Sequence, residues 1–191
     1  MSVTNDEITN NDIWDKAKQY GIQQLESEYL RMVDMIPNGA KGIDIGCYSG
    51  GTTIGFSMIC SKLASVDLNK SFDTAETEAN CEHSFFTGDS RNPAIIQGVE
   101  DYFNGELVDF LFIDGDHSAY GAEQDYLNYK HLVRAGGMIF FHDIVDSDFH
   151  RMHGCMVSQA WERVRTNHKV WQELKEDEGQ IWAGIGVLIV E

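Results

Sequence analysis

The sequence predicts a doubly wound, three-layer α/β/α fold, an open and mostly parallel sheet with helices on both faces. Three observations carry that prediction. From residue 40 onward, short apolar runs alternate with helical stretches. Runs that stay apolar without interruption belong to parallel strands covered on both faces. Five such strand–helix units are also too few to close an eight-stranded barrel, which leaves the open sheet. Finally, the chain closes with two strand-like segments joined by a polar loop, the pattern of an antiparallel pair at a sheet edge.

The elements follow in order. Residues 1–39 read as a helical segment of the same domain that residues 40–191 complete. Thr9-Asn10-Asn11-Asp12 offers caps, and Ile13, Trp14, Ala17 and Tyr20 follow at helical spacing. A second helix is expected from Gln23 to Met35, with Leu25, Tyr29, Met32, Val33 and Ile36 on one face, until Pro37-Asn38-Gly39 breaks it. Strands are expected at Gly42–Ile45, Leu63–Asp67, His83–Phe86, Val108–Ile113 and Met138–Phe141. Helices are expected near 51–60, 71–80, 92–103 and 119–133. In the tail, a helix from Met156 to Arg165 precedes Lys169–Leu174, the loop Lys175–Gln180 and the closing run Gly184–Val190.

Composition narrows the function classes. A formal net charge of −17 on 191 residues repels phosphate backbones and anionic lipid, so neither nucleic acid nor a membrane is an expected partner. The closest basic grouping, Arg151, Arg163, Arg165 and Lys169, is sparse. The four cysteines, Cys47, Cys60, Cys81 and Cys155, show no C-x-x-C spacing and read as reduced thiols. The polar, acidic start MSVTNDEITNNDIWDK is unlike a signal or transit peptide, and no apolar stretch has membrane-spanning length. The expectation is a cytoplasmic protein. Trp14 and Trp161 read as exposed aromatics, which leaves a homodimer open.

In open α/β sheets ligands sit at the carboxyl ends of the strands, so candidate residues are those just after each apolar run. The first strand is followed by Asp44-Ile45-Gly46-Cys47-Tyr48-Ser49-Gly50. Glycines at 46 and 50 allow a sharp turn and close approach to a ligand. The G-x-x-x-G spacing is neither that of a dinucleotide pyrophosphate loop nor that of a phosphate-gripping loop. A carboxylate at Asp44 suits a cation. Asp67, ending the second strand, is positioned to accept ribose hydroxyls. Asp89 and Ser90 follow the third strand, where a short polar side chain reaches an adenine amino group.

The fourth strand ends in Ile113-Asp114-Gly115-Asp116-His117-Ser118, and the fifth, after a Gly136-Gly137 turn, in His142-Asp143. Asp114, His117, His142 and Asp143 therefore share one rim, and an acid–imidazole cluster there suits a general base or a divalent metal. Asp116 and Ser118 are also candidate caps of the next helix.

Together these residues resemble the class I S-adenosylmethionine-dependent methyltransferases. Asp44-x-Gly46-x-x-x-Gly50 resembles the first motif of that superfamily and Asp67 its ribose-binding acid. Phe112–Ser118, Gly136–Ile144 and Gly184-Ile185-Gly186-Val187 resemble the branch of cephalosporin-hydroxylase-like and sugar O-methyltransferase-like proteins. The resemblance covers residues 40–190 and implies a seven-stranded, Rossmann-like sheet whose last strand is antiparallel. It implies S-adenosylmethionine as cofactor, held by Asp44, Gly46, Tyr48, Gly50, Asp67, Leu68, Asp89, Ser90 and Asp114.

Some related branches bind magnesium through an acid after the fourth strand and two adjacent acids after the fifth. Asp114, His142 and Asp143 match those positions, with a histidine in place of one acid. Oxygen-only sites suit magnesium best, whereas a mixed set favours manganese, iron or zinc. The implied reaction is methyl transfer to a hydroxyl of a small molecule or sugar, with His117 as first choice of base and His142 as second. The alternatives are a non-catalytic Rossmann-like binding module and a nicotinamide-dependent oxidoreductase.

Overall fold

The computed structural model describes residues 8–191. Two helices, α1 (Asn10–Gln19) and α2 (Glu26–Met35), precede the sheet. There follow β1 (Ala40–Ile45), α3 (Gly51–Ser57), β2 (Cys60–Asp67), α4 (Ala75–Asn80), β3 (Glu82–Thr87), α5 (Pro93–Phe103), β4 (Val108–Ile113) and α6 (Ala119–Tyr129). The chain ends with β5 (Val133–Phe141), α7 (Asp148–Met152), α8 (Val157–Arg165), β6 (Trp171–Leu174) and β7 (Ile185–Ile189). The seven strands form one sheet in the order β3-β2-β1-β4-β5-β7-β6. Strands β1 to β5 pair in parallel, and β7 runs antiparallel to both β5 and β6. This is the predicted fold class, closing antiparallel pair included.

Period-two alternation splits the core into two layers. Phe110, Phe112, Met138 and Phe140 turn to one face, where α1, α2 and α3 contribute Trp14, Tyr29, Met32 and Phe56. Leu111, Ile113, Ile139 and Phe141 turn to the other, where α5, α6 and α8 contribute Phe103, Tyr126, Tyr129 and Trp161. Trp14 and Trp161 are thus core residues, 8% and 1% exposed. The expectation that they stand on the surface is corrected, and with it the aromatic argument for a dimer. Trp161 fits because Gly186 of β7 has no side chain: a Cβ there would lie 2.6 Å from the indole.

Boundaries moved where local patterns read two ways. Helix α2 starts at Glu26 rather than Gln23, with Leu25 at its N-cap. Helix α3 stops at Ser57, because Cys60 is already recruited to β2 by pairing with Ala40. The Gly136-Gly137 turn lies inside β5, which starts at Val133 and shifts register against β4 there, with Gly136 at φ +74°. The connection 144–156 contains α7, nucleated by Ser147, whose hydroxyl accepts from the His150 amide at 3.1 Å. All four cysteines are free thiols, as expected. Arg151, Arg163, Arg165 and Lys169 each pair with a nearby carboxylate, so they form no basic groove. Among the described residues, no helix is long and apolar enough to cross a membrane.

Candidate active site

The strand order reverses between β1 and β4, and the carboxyl ends of β2, β1, β4 and β5 are laced together there. Gly46 donates to the Val66 carbonyl (2.9 Å), Asp114 to Ile45 (2.8 Å) and His142 to Ile113 (3.1 Å). Each candidate side chain therefore leaves a fixed backbone at nearly the same height. A cleft of about 480 Å³ opens above these ends, lined by Gly46, Tyr48, Asp67, Leu68, Asp89, Ser90, Asp114, His117, His142 and Asp143.

At one end of the cleft the β1 loop turns through Gly46 at φ +89° and Gly50 at φ +94°. A side chain at 46 would run into the Asp114 carbonyl, and a Cβ at 50 would sit 2.6 Å from the Phe72 ring. The turn brings the Tyr48 amide to Asp67 Oδ2 at 2.9 Å, while the Asn69 amide reaches Oδ1 at 3.1 Å. Both carboxylate oxygens are thereby oriented, with lone pairs left for a ligand. Tyr48 and Leu68 expose their side chains beside it.

Asp44 departs from expectation. It is completely buried beneath the loop and is not among the residues that line the cleft. Its Oδ2 accepts from the hydroxyls of Thr53 (2.6 Å) and Thr52 (3.2 Å) in the first turn of α3, while Oδ1 has no partner among the described residues. Burial pushes its pKa up to about 7 against the pull of the two threonines. Asp44 braces the loop from below.

After β3, Asp89 pairs with Arg91, which also reaches Asp116 at 2.9 Å. Ser90 donates to Asp125 of α6. Ser118 caps α6 by accepting from the Gly121 amide at 2.9 Å, as its position suggested.

At the other end, Asp114, His142 and Asp143 converge, their ligand atoms within 4.8 Å of one another. His142 Nδ1 lies 3.0 Å from Asp114 Oδ1 and 3.4 Å from Asp143 Oδ1. Burial opposes the charged form of this ring, but the two carboxylates outweigh it and raise its pKa. The His142 side chain is only 4% exposed and its Nδ1 faces both carboxylates, so it offers an acceptor less access than His117 does. His117 stands at the mouth, 3.4 Å from Asp114 Oδ1 and 3.6 Å from Asp143 Oδ2, with half of its side chain open to the cleft. Hydrogen bonding to Asp114 raises its pKa against the effect of burial.

Residues outside the sequence-derived set hold this cluster. Gln24, ahead of α2, donates to Asp114 Oδ2 at 2.7 Å. His150 of α7 approaches Asp143 at 3.4 Å, anchored through Nδ1 to the Val145 carbonyl. Buried Glu28 of α2 accepts from Gln180 (2.6 Å) and the Gly184 amide (2.9 Å), tying the helix to the turn into β7. One signal was readable: Glu28 and Asp125 are acids within the apolar stripes of their helices.

Residues 43–144, more than half of the chain, match the family model described as a methyltransferase domain. The chain belongs to this methyltransferase family. A stretch of 127 residues is 26% identical to the Dictyostelium discoideum protein described as probable caffeoyl-CoA O-methyltransferase 3, covering 63% of this chain. The match spans about half the length of that curated relative. Two solved structures share the fold. The N-methyltransferase NodS from Bradyrhizobium japonicum WM9, in complex with S-adenosyl-L-homocysteine, has a TM-score of 0.63 at 11% identity, covering 93% of this chain and 98% of that one. An O-methyltransferase from Bacillus cereus, also in complex with that product, has a TM-score of 0.63 at 16% identity, covering 97% and 93%. A fold shared with both N- and O-methylating proteins leaves the acceptor to be argued from the site. The family match sets aside the nicotinamide reading.

Proposed function

We propose that the chain transfers a methyl group from S-adenosylmethionine to a hydroxyl oxygen of a small-molecule or sugar acceptor. One observation carries the reading: a single cleft joins Asp67, fixed by two backbone amides, to the acid–imidazole cluster of Asp114, His117 and Asp143. The Asp67 end suits the ribose of a nucleoside donor, with Tyr48 and Leu68 flanking it and the Gly46–Gly50 turn leaving room for the amino-acid part. The cluster end suits an acceptor that must lose a proton.

In the transfer, a lone pair of the acceptor oxygen attacks the methyl carbon as the carbon–sulfur bond breaks. Its electrons return to sulfur, leaving S-adenosylhomocysteine. His117 takes the hydroxyl proton, and the carboxylates on either side stabilise the imidazolium that forms. The rest of the rate comes from holding the two reactants in line.

The donor set Asp114, His142 and Asp143 also fits a divalent ion, two carboxylates and an imidazole favouring manganese, iron or zinc over magnesium. When bound, such an ion supplies Lewis acidity toward an acceptor hydroxyl. Oxygen as the accepting atom draws support from the curated relative's description. The acidity of the chain argues for a small acceptor over nucleic acid.

Radiolabelled methyl transfer tests the proposal, using catechols, simple glycosides and hydroxylated aliphatics as acceptors, with and without manganese. Product with at least one acceptor is expected, falling roughly a hundredfold or more in His117→Ala. Wild-type rates in that variant would remove His117 from the chemistry.

A further inference from the structure

Helix α6 turns an acid into its own apolar stripe. Its buried residues include Ala122, Asp125, Tyr126 and Tyr129, so Asp125 lies where a hydrophobic side chain is expected. Asp125 is fully buried, and its one side-chain hydrogen bond among the described residues is to Ser90, whose hydroxyl donates to Oδ1 at 2.5 Å. Among the described residues, Asp125 Oδ2 has no hydrogen-bond partner. One turn further along the same face, the Tyr129 hydroxyl donates to the Ser90 backbone carbonyl at 2.8 Å. Two side chains four residues apart thus grip Ser90 by its hydroxyl and by its backbone. Such a buried acid needs a reason, since leaving one of its oxygens unpaired costs stability.

We infer that Asp125 is a positioning residue that fixes the hydrogen-bond polarity of Ser90 and so makes the cleft selective for a 6-amino purine over a 6-oxo purine. The inference rests on the nucleoside-donor reading above. A serine hydroxyl carries one hydrogen and two lone pairs. With its hydrogen committed to Asp125, Ser90 presents only lone pairs to the cleft that it lines. It can accept from the exocyclic amine of adenine. It cannot donate to the carbonyl of hypoxanthine, and two acceptors would face each other there. The Tyr129 contact holds the backbone, so Ser90 cannot swing away to relieve the mismatch.

The test is calorimetric titration of S-adenosylhomocysteine and of its deaminated 6-oxo counterpart, S-inosylhomocysteine, into wild type, Ser90→Ala and Asp125→Asn. Wild type is expected to prefer the adenosyl form by roughly ten- to a hundredfold, the usual penalty for a mismatched polar contact in a buried site. Ser90→Ala is expected to lose most of that preference through weaker adenosyl binding. In Asp125→Asn the amide can donate to Ser90 and free its hydrogen, so the preference is expected to shrink through stronger inosyl binding. The affinity ratio separates this role from a purely structural one, which would weaken both ligands together. Equal wild-type binding of both ligands overturns the inference alone, as does an unchanged ratio in both variants. Binding of neither ligand by folded wild type overturns the donor reading as well.

Discussion

The Asp44 carboxylate lies in the core beneath the Gly46–Gly50 turn. The direction of a side chain at a strand end depends on strand parity and on what packs beneath the loop. At 44 those send the carboxylate into the core, under Thr52 and Thr53. The consequence is a pH-dependent cost. An aspartate whose folded pKa is raised from 3.8 to about 7 costs nothing below pH 4, and its penalty grows as pH rises from 4 to 7 and is complete above that. Replacing it by Asn, which still accepts from the threonines, removes the penalty. Asp44→Asn is therefore expected to gain stability relative to wild type between pH 5 and pH 8, read from thermal midpoints at the two values. A difference that stays constant or reverses would show that Asp44 does not carry this burial cost. Asp67, Asp114 and His117 stand where their strand ends predicted, because a residue just past a parallel strand has few directions open to it. Gln24 and His150 were not legible, since one precedes α2 and the other sits on the short helix α7, and no periodicity reports where either segment meets the sheet.

At the scale of elements, strand positions were legible because fully apolar runs bounded by polar turns admit few other readings. Ends were less so: the run Met58–Ile59–Cys60 continues α3 or begins β2 equally well until β1 supplies a partner. Whether an aromatic lies inside or outside also depended on a distant element. Trp161 reads as exposed in an amphipathic stretch with charged neighbours, yet it is covered because Gly186 in β7 leaves a hollow of its size. Its indole also donates to Glu173 of β6 at 2.7 Å, joining α8 to both late strands. Trp161→Ala is expected to cost about 3–5 kcal/mol in urea unfolding, as for other large buried side chains. A cost under about 1 kcal/mol would mean that this face repacks freely and that α8 does not hold the sheet edge.

For the molecule as a whole, the class of fold followed from the alternation of elements, and the location of the cleft from the rule that ligands bind where strand order reverses. The sequence could not supply the way the N-terminal segment closes over the sheet. Gln24 and Glu28 tie α2 and its approach to Asp114 and to the turn before β7, so the acid–imidazole end of the cleft is held by early and late parts of the chain. In the function proposed above, one cleft holds a nucleoside donor at the Asp67 end. Calorimetric titration of S-adenosylmethionine into wild type and Asp67→Ala tests it most directly. Saturable binding by wild type that weakens at least roughly tenfold in a folded variant is the predicted result. No binding by wild type, or equal affinity in the two proteins, would contradict it.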